Sequence, residues 1–77
     1  MAPLMPEFGY NPADARFLGS PIDYIIFDGY SEAETAGKIR KIVLMDVKTG
    51  NAKLSPVERT VRDAVASGRV EWETLEI

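Results

Sequence analysis

The chain has no cysteine and no histidine. The first absence excludes disulfides, and together they exclude a zinc site built from Cys and His. It also has no apolar run near the roughly 20 residues needed to span a bilayer. Met1–Pro6 lacks a basic region followed by a long apolar stretch, so no signal peptide is read. The expectation is a soluble, cytoplasmic protein. Basic side chains are scarce in the first half: residues 1–37 hold Arg16 alone against six acids. The net charge of −3 argues against a protein that coats nucleic acid. The basic residues are instead concentrated in residues 38–69, with eight basic and three acidic side chains, and residues 70–77 hold three acids and no base. A basic face can therefore form on an acidic chain.

Seventy-seven residues make one domain. A core of that size is marginal without disulfides or a structural metal, so self-association is expected. The simplest form is a homodimer or a higher homo-oligomer. Trp72, Leu75 and Ile77 strengthen that expectation, because they prolong the apolar pattern along 70–77.

Three of the five prolines fall within residues 1–12, which read as an irregular N-terminal arm. A short strand near Ala15–Leu18 is followed by a turn at Gly19-Ser20-Pro21. Ile22–Phe27 is rich in β-branched and aromatic residues and ends at Asp28-Gly29, a strand then turn. Its apolar residues lie on both faces, which suits a central strand. Ser31–Gly37 reads as a hairpin loop with room for a short turn of helix. Ile39–Val47 is a second clear strand, with Asp46 and Lys48 on one face by alternation. Ser55, Pro56 and Glu58 form a helix start with a capping box. Val57, Val61, Ala64 and Val65 then recur at helical spacing, and Gly68 ends the helix. Val70–Ile77 reads as a last strand with a bulge near Thr74. The expected fold class is α/β: a small mixed β-sheet with one main helix, a reduced restriction-endonuclease-like core.

Asp23, Asp46 and Lys48 carry the candidate chemistry. If the two strands pair as a hairpin, Asp23 comes to the end of the second strand, near Asp46 and Lys48. Two carboxylates and an ammonium suit phosphodiester hydrolysis. Magnesium, or manganese, takes hard oxygen ligands, commonly one or two carboxylates with water. Asp23 and Asp46 are the expected ligands, with the backbone carbonyl of Val47 as another and Lys48 as the catalytic cation. An acid-x-lysine triplet arises by chance in roughly half of chains this long. What sets this one apart is that it follows a buried apolar strand, and that a second acid interrupts the apolar run at Ile22-Asp23-Tyr24. Thr49 and Lys53 flank the site and are candidates for DNA contact. Arg59 and Arg62 are further candidates, although a solvated helix face is the ordinary reading of such a pair. Lys38, Arg40 and Lys41 suit strand-edge protection. Trp72 suits a core or an interface better than a base-stacking platform. Glu7 is the only acid upstream of Asp14.

The stretch Phe17-Leu18-Gly19-Ser20-Pro21-Ile22-Asp23-Tyr24-Ile25-Ile26-Phe27-Asp28-Gly29 is followed by Val47-Lys48-Thr49-Gly50 and by Leu54-Ser55 with a Glu58-Arg59 helix. This combination resembles the endonuclease family related to archaeal Holliday-junction resolvases, in the PD-(D/E)XK superfamily. The resemblance covers roughly Asn11 to Ile77. It implies a nuclease core over residues 13–77, a magnesium-dependent endodeoxyribonuclease, DNA, branched DNA included, as partner, and a homodimer. By position, Asp23 is the first motif acid, Asp46 the second and Lys48 the motif lysine. The second acid is Asp where these proteins usually have Glu, and Ile22 lies between Pro21 and Asp23. The helix that normally precedes the sheet has no counterpart in the proline-rich start. Two other readings remain beside the endonuclease: a catalytically weak or inactive DNA-binding relative, and a structural interaction module.

Overall fold

The computed structural model describes residues 4–33 and 37–77. Residues 1–3 of the N-terminal arm and residues 34–36 of the loop expected over Ser31–Gly37 lie outside them. Three antiparallel strands, β1 (Ala15–Phe17), β2 (Tyr24–Asp28) and β3 (Lys41–Met45), form a sheet in the order β1-β2-β3. One main helix follows, α1 (Pro56–Ala66). This is the small α/β arrangement expected, with β2 at the centre. Short 3-10 turns occupy Pro6–Phe8, Pro12–Asp14 and Tyr30–Glu32. Among the described residues no helix is long and apolar enough to cross a membrane.

The strands form where the sequence is richest in β-branched and aromatic side chains, but they are shorter than the pattern suggests. Bulges at both ends of the β2–β3 ladder explain the trimming. Tyr24 pairs with Met45, yet Asp23 N–H also donates to the Met45 carbonyl at 3.1 Å, so two residues face one. At the other end Asp28 pairs with Lys41 while its carbonyl accepts from Arg40 N–H at 2.8 Å. The β1–β2 turn is closed by the Leu18 and Gly19 amides, which both donate to the Asp23 carbonyl.

The apolar core is Phe8, Ile22 and Ile26. Phe8 comes from the arm and packs edge-on against Tyr10 and Tyr24. Ile26, fully buried at 0% exposure, sits on the central strand. Ile26→Ala should cost about 2–5 kcal/mol, comparable with the whole stability of so small a domain. Urea denaturation should find the variant largely unfolded, and a midpoint like that of the parent would show that the core lies elsewhere.

A buried carboxylate fastens the arm to the β2–β3 connection. Asp14 Oδ2 accepts from Gly29 N–H at 3.0 Å and Oδ1 from Ser31 N–H at 2.7 Å. Gly29 adopts φ 101°, and a side chain there would meet the Arg40 guanidinium. The Ser31 amide is the main reason the Asp14 carboxyl lies below its ordinary range; burial opposes it and the Gly29 amide adds to it. A depressed folded-state value stabilises the fold above the unfolded value of about 4, and that contribution is lost as pH falls through the folded value. Acid unfolding followed by tyrosine and tryptophan fluorescence should therefore set in below about pH 4, and Asp14→Asn should flatten that limb. An unchanged acid profile in Asp14→Asn would exclude this role.

Helix α1 starts and stops as its sequence dictates. Ser55 Oγ accepts from Glu58 N–H at 3.2 Å, and Glu58 Oε1 accepts from Ser55 N–H at 2.7 Å, a complete capping box. At the far end Gly68 takes φ 74°, its N–H donates to the Val65 carbonyl, and Arg69 N–H donates to the Ala64 carbonyl.

The strand expected over Val70–Ile77 does not form. Residues 70–77 belong to no strand or helix and are exposed throughout. Trp72 is 90% exposed, Leu75 86% and Ile77 115%, so Trp72 is not part of this chain's core. Period-two alternation makes a strand only when an edge is available to pair with, and the tail of this chain meets none.

Candidate active site

The ends of β2 and β3 bring three of the predicted side chains into one neighbourhood. Because the two strands are antiparallel, the residue entering β2 lies beside the residues leaving β3. Asp23 Oδ2 accepts from the Val47 N–H at 2.7 Å, which fixes the Asp23 carboxylate against the peptide joining Asp46 to Val47. The bulge at Asp23–Tyr24 aims this side chain. Lys48 folds back so that its Nζ stands 2.6 Å from Asp46 Oδ2.

Glu58 completes the cluster. Its Oε1 and Oε2 lie 3.0 and 3.2 Å from Lys48 Nζ. Sequence reasoning assigned Glu58 to the helix cap alone; the ten-residue separation from Lys48 spans the turn at Thr49–Asn51 and leaves no periodic signal. One carboxylate thus caps α1 and holds the lysine. Lys48 is raised above its ordinary value, first by Asp46 and then by Glu58. Glu58 is lowered, first by the Ser55 amide and then by Lys48. The ammonium therefore stays charged at neutral pH, between two carboxylates that are only slightly solvated.

Asp46 stands in the wall between two concavities. On one side is a cleft of about 460 Å³ shared with Glu7, Phe8, Val47, Lys48 and Thr49. On the other is an apolar groove of about 350 Å³ between α1 and the sheet, lined by Ile22, Leu44, Leu54, Val61 and Val65. Asp46 Oδ2 is buried, and its partner is the Lys48 ammonium at 2.6 Å. A buried carboxylate oxygen requires such a partner, so this position favours positive charge. Among the described residues no three acidic side chains cluster as a carboxylate cage.

The predicted DNA contacts are spread more widely. Thr49 lines the cleft beside Lys48, and Lys53 is exposed on the loop that follows. Arg59 Nη1 donates to the Leu54 carbonyl at 3.2 Å. Arg62 pairs with Asp63 at 3.1 Å and reaches the rim of the apolar groove rather than the outermost helix face.

The whole chain, residues 1–77, matches the family described as endonuclease related to archaeal Holliday junction resolvase. The chain belongs to this family. No curated protein and no solved structure matches it. Within the resolvase-related family, the β2–β3 end with Asp23, Asp46 and Lys48 is the part of this chain where acids and a cation gather beside a cleft.

Proposed function

We propose that this chain is a metal-dependent DNA endonuclease of PD-(D/E)XK type that hydrolyses phosphodiester bonds, with branched DNA as its substrate class. The reading rests on one observation above all: an ammonium, Lys48 Nζ, held between Asp46 and Glu58 beside the Asp23-anchored peptide and facing a cleft. Family membership supports the nuclease and DNA side of it.

Asp23, Asp46 and the Val47 carbonyl would hold magnesium or manganese. They fit it in kind, since all are hard oxygen donors and such ions commonly use one or two protein carboxylates with water. Asp46 Oδ2 already faces a cation, the Lys48 ammonium at 2.6 Å, which supports a preference for positive charge there. When bound, the ion would lower the pKa of a water and neutralise charge on the scissile phosphate. Lys48, already protonated, would stabilise the negative charge that grows on the phosphoryl oxygens rather than remove a proton. Glu58 would be a positioning residue that keeps Lys48 in place. Thr49 and Lys53 would bind neighbouring phosphates. Arg59 and Arg62 could join them by leaving their present partners, because exposed pairs such as Arg62–Asp63 contribute little.

The test is cleavage of labelled four-way junction, duplex and single-stranded DNA with magnesium, manganese or EDTA. Metal-dependent cutting that favours the junction is expected. Junction binding without cutting would identify a binding-only relative, and neither activity would leave an interaction module.

A further inference from the structure

One aromatic side chain near the candidate site is held in place without being buried. Phe17 is 70% exposed, so folding gains little from it. Its position is nonetheless fixed from two sides. The ring meets Tyr24 edge-on, with centroids 5.5 Å apart, and it lies over Gly19, where a Cβ would come within 3.0 Å of it. Gly19 therefore lacks a side chain for two reasons, its φ of 86° and the ring above it.

The ring also continues a row that leads to the cleft. Phe17 pairs with Tyr24 and Tyr24 with Met45, so the three side chains lie on one face of the sheet. Tyr24 meets Phe8 at 6.4 Å, and Phe8 and Met45 wall the cleft shared with Lys48 and Thr49. Two strand spacings, on the order of 10 Å, separate Phe17 from the β3 end of that row, a distance that one nucleotide spans from its phosphate to the edge of its base. The amides of Leu18 and Gly19, directly after Phe17, donate to the Asp23 carbonyl at 2.8 and 3.2 Å, which ties the ring to a proposed metal ligand.

We infer that Phe17 is a stacking platform for an unstacked base of the DNA whose phosphate lies in the cleft, and that this contact makes the chain select branched DNA over continuous duplex. The inference rests on the nuclease reading and names the side chain that would recognise the branch. An apolar ring stacks on any base. Bases at a branch point lose a stacking neighbour easily, whereas a base inside a duplex has to be pulled from its stack. Continuity with the cleft favours a base as the occupant, because a phosphate beside Lys48 and Thr49 brings its own base or the next one to Phe17. A single ring offers one stacking face, far less area than a protein partner needs.

The test measures binding to a four-way junction and to a duplex of the same sequence, with calcium in place of magnesium to keep the DNA uncut. Phe17→Ala should weaken junction binding by on the order of 10-fold or more and leave duplex binding near the parent's. Phe17→Trp should keep the preference. Combined with Trp72→Phe, it also leaves the chain a single tryptophan, whose emission should be quenched by the junction and not by the duplex. Should Phe17→Ala fail to match the parent's circular dichroism, the quenching decides alone. An undiminished junction preference in folded Phe17→Ala, or an indole at this position whose emission the junction leaves unchanged, would overturn the inference while the nuclease reading stands. An equal loss of junction and duplex binding in folded Phe17→Ala would overturn it too. A parent chain that neither binds nor cuts either DNA would remove the nuclease reading, and this inference with it.

Discussion

Lys48→Ala should reduce metal-dependent DNA cleavage by at least about 100-fold while leaving metal binding and the fold largely intact. Lys48 lies past the end of β3 and is not part of the core of Phe8, Ile22 and Ile26, so its removal leaves packing untouched. Asp46 and Glu58 lose their common partner, but Glu58 keeps the Ser55 amide and the space left by the partly exposed Lys48 side chain would admit water to Asp46. The expected signature is therefore a lost rate with retained circular dichroism and retained manganese affinity by titration calorimetry. Lys48→Arg should not rescue fully, because a planar guanidinium does not reproduce a compact ammonium between two carboxylates. Near-full activity in Lys48→Ala, in a preparation shown free of contaminating nuclease, would end the assignment of this residue.

The second large effect belongs to Asp46. Asp46→Ala should abolish both metal binding and cleavage, which separates it from Lys48→Ala, where only the rate falls. The argument is that Asp46 supplies the buried carboxylate at the wall of the cleft, and among the described residues no group of three acids is arranged to hold an ion without it. A magnesium site with so few protein ligands loses most of its affinity when one carboxylate is removed. Calorimetry with manganese and a junction-cleavage assay on the same preparation decide it. Parental manganese affinity in Asp46→Ala would move the metal elsewhere, and Asp23 alone would then be an insufficient explanation of any activity.

What the sequence made legible was local. The capping box at Ser55 and Glu58 and the glycine stop at Gly68 depend on residues within a few positions of one another, and both form as expected. The antiparallel pairing that brings Asp23 to the end of β3 was legible as a condition, a hairpin between two apolar strands, and it forms. The unread features needed tertiary knowledge. The bulge at Asp23–Tyr24 is a property of the pairing, not of either strand alone. The Asp14 clamp joins residues 15 and 17 positions apart across the start of the sheet. Glu58 meets Lys48 only because α1 returns to the end of β3. The tail was read as a strand because its alternation satisfies the period, whereas forming one requires an edge to receive it.

Glu58 serves two masters, and their fates are tied. The first turn of an isolated helix is its least cooperative part and opens ahead of the body. Here that opening releases the lysine as well. Heat, denaturant or a substitution at Ser55 that frays this one turn would silence the site while the sheet and the rest of the helix remain in place. In such a protein, thermal inactivation and thermal unfolding are separate events, and the first precedes the second.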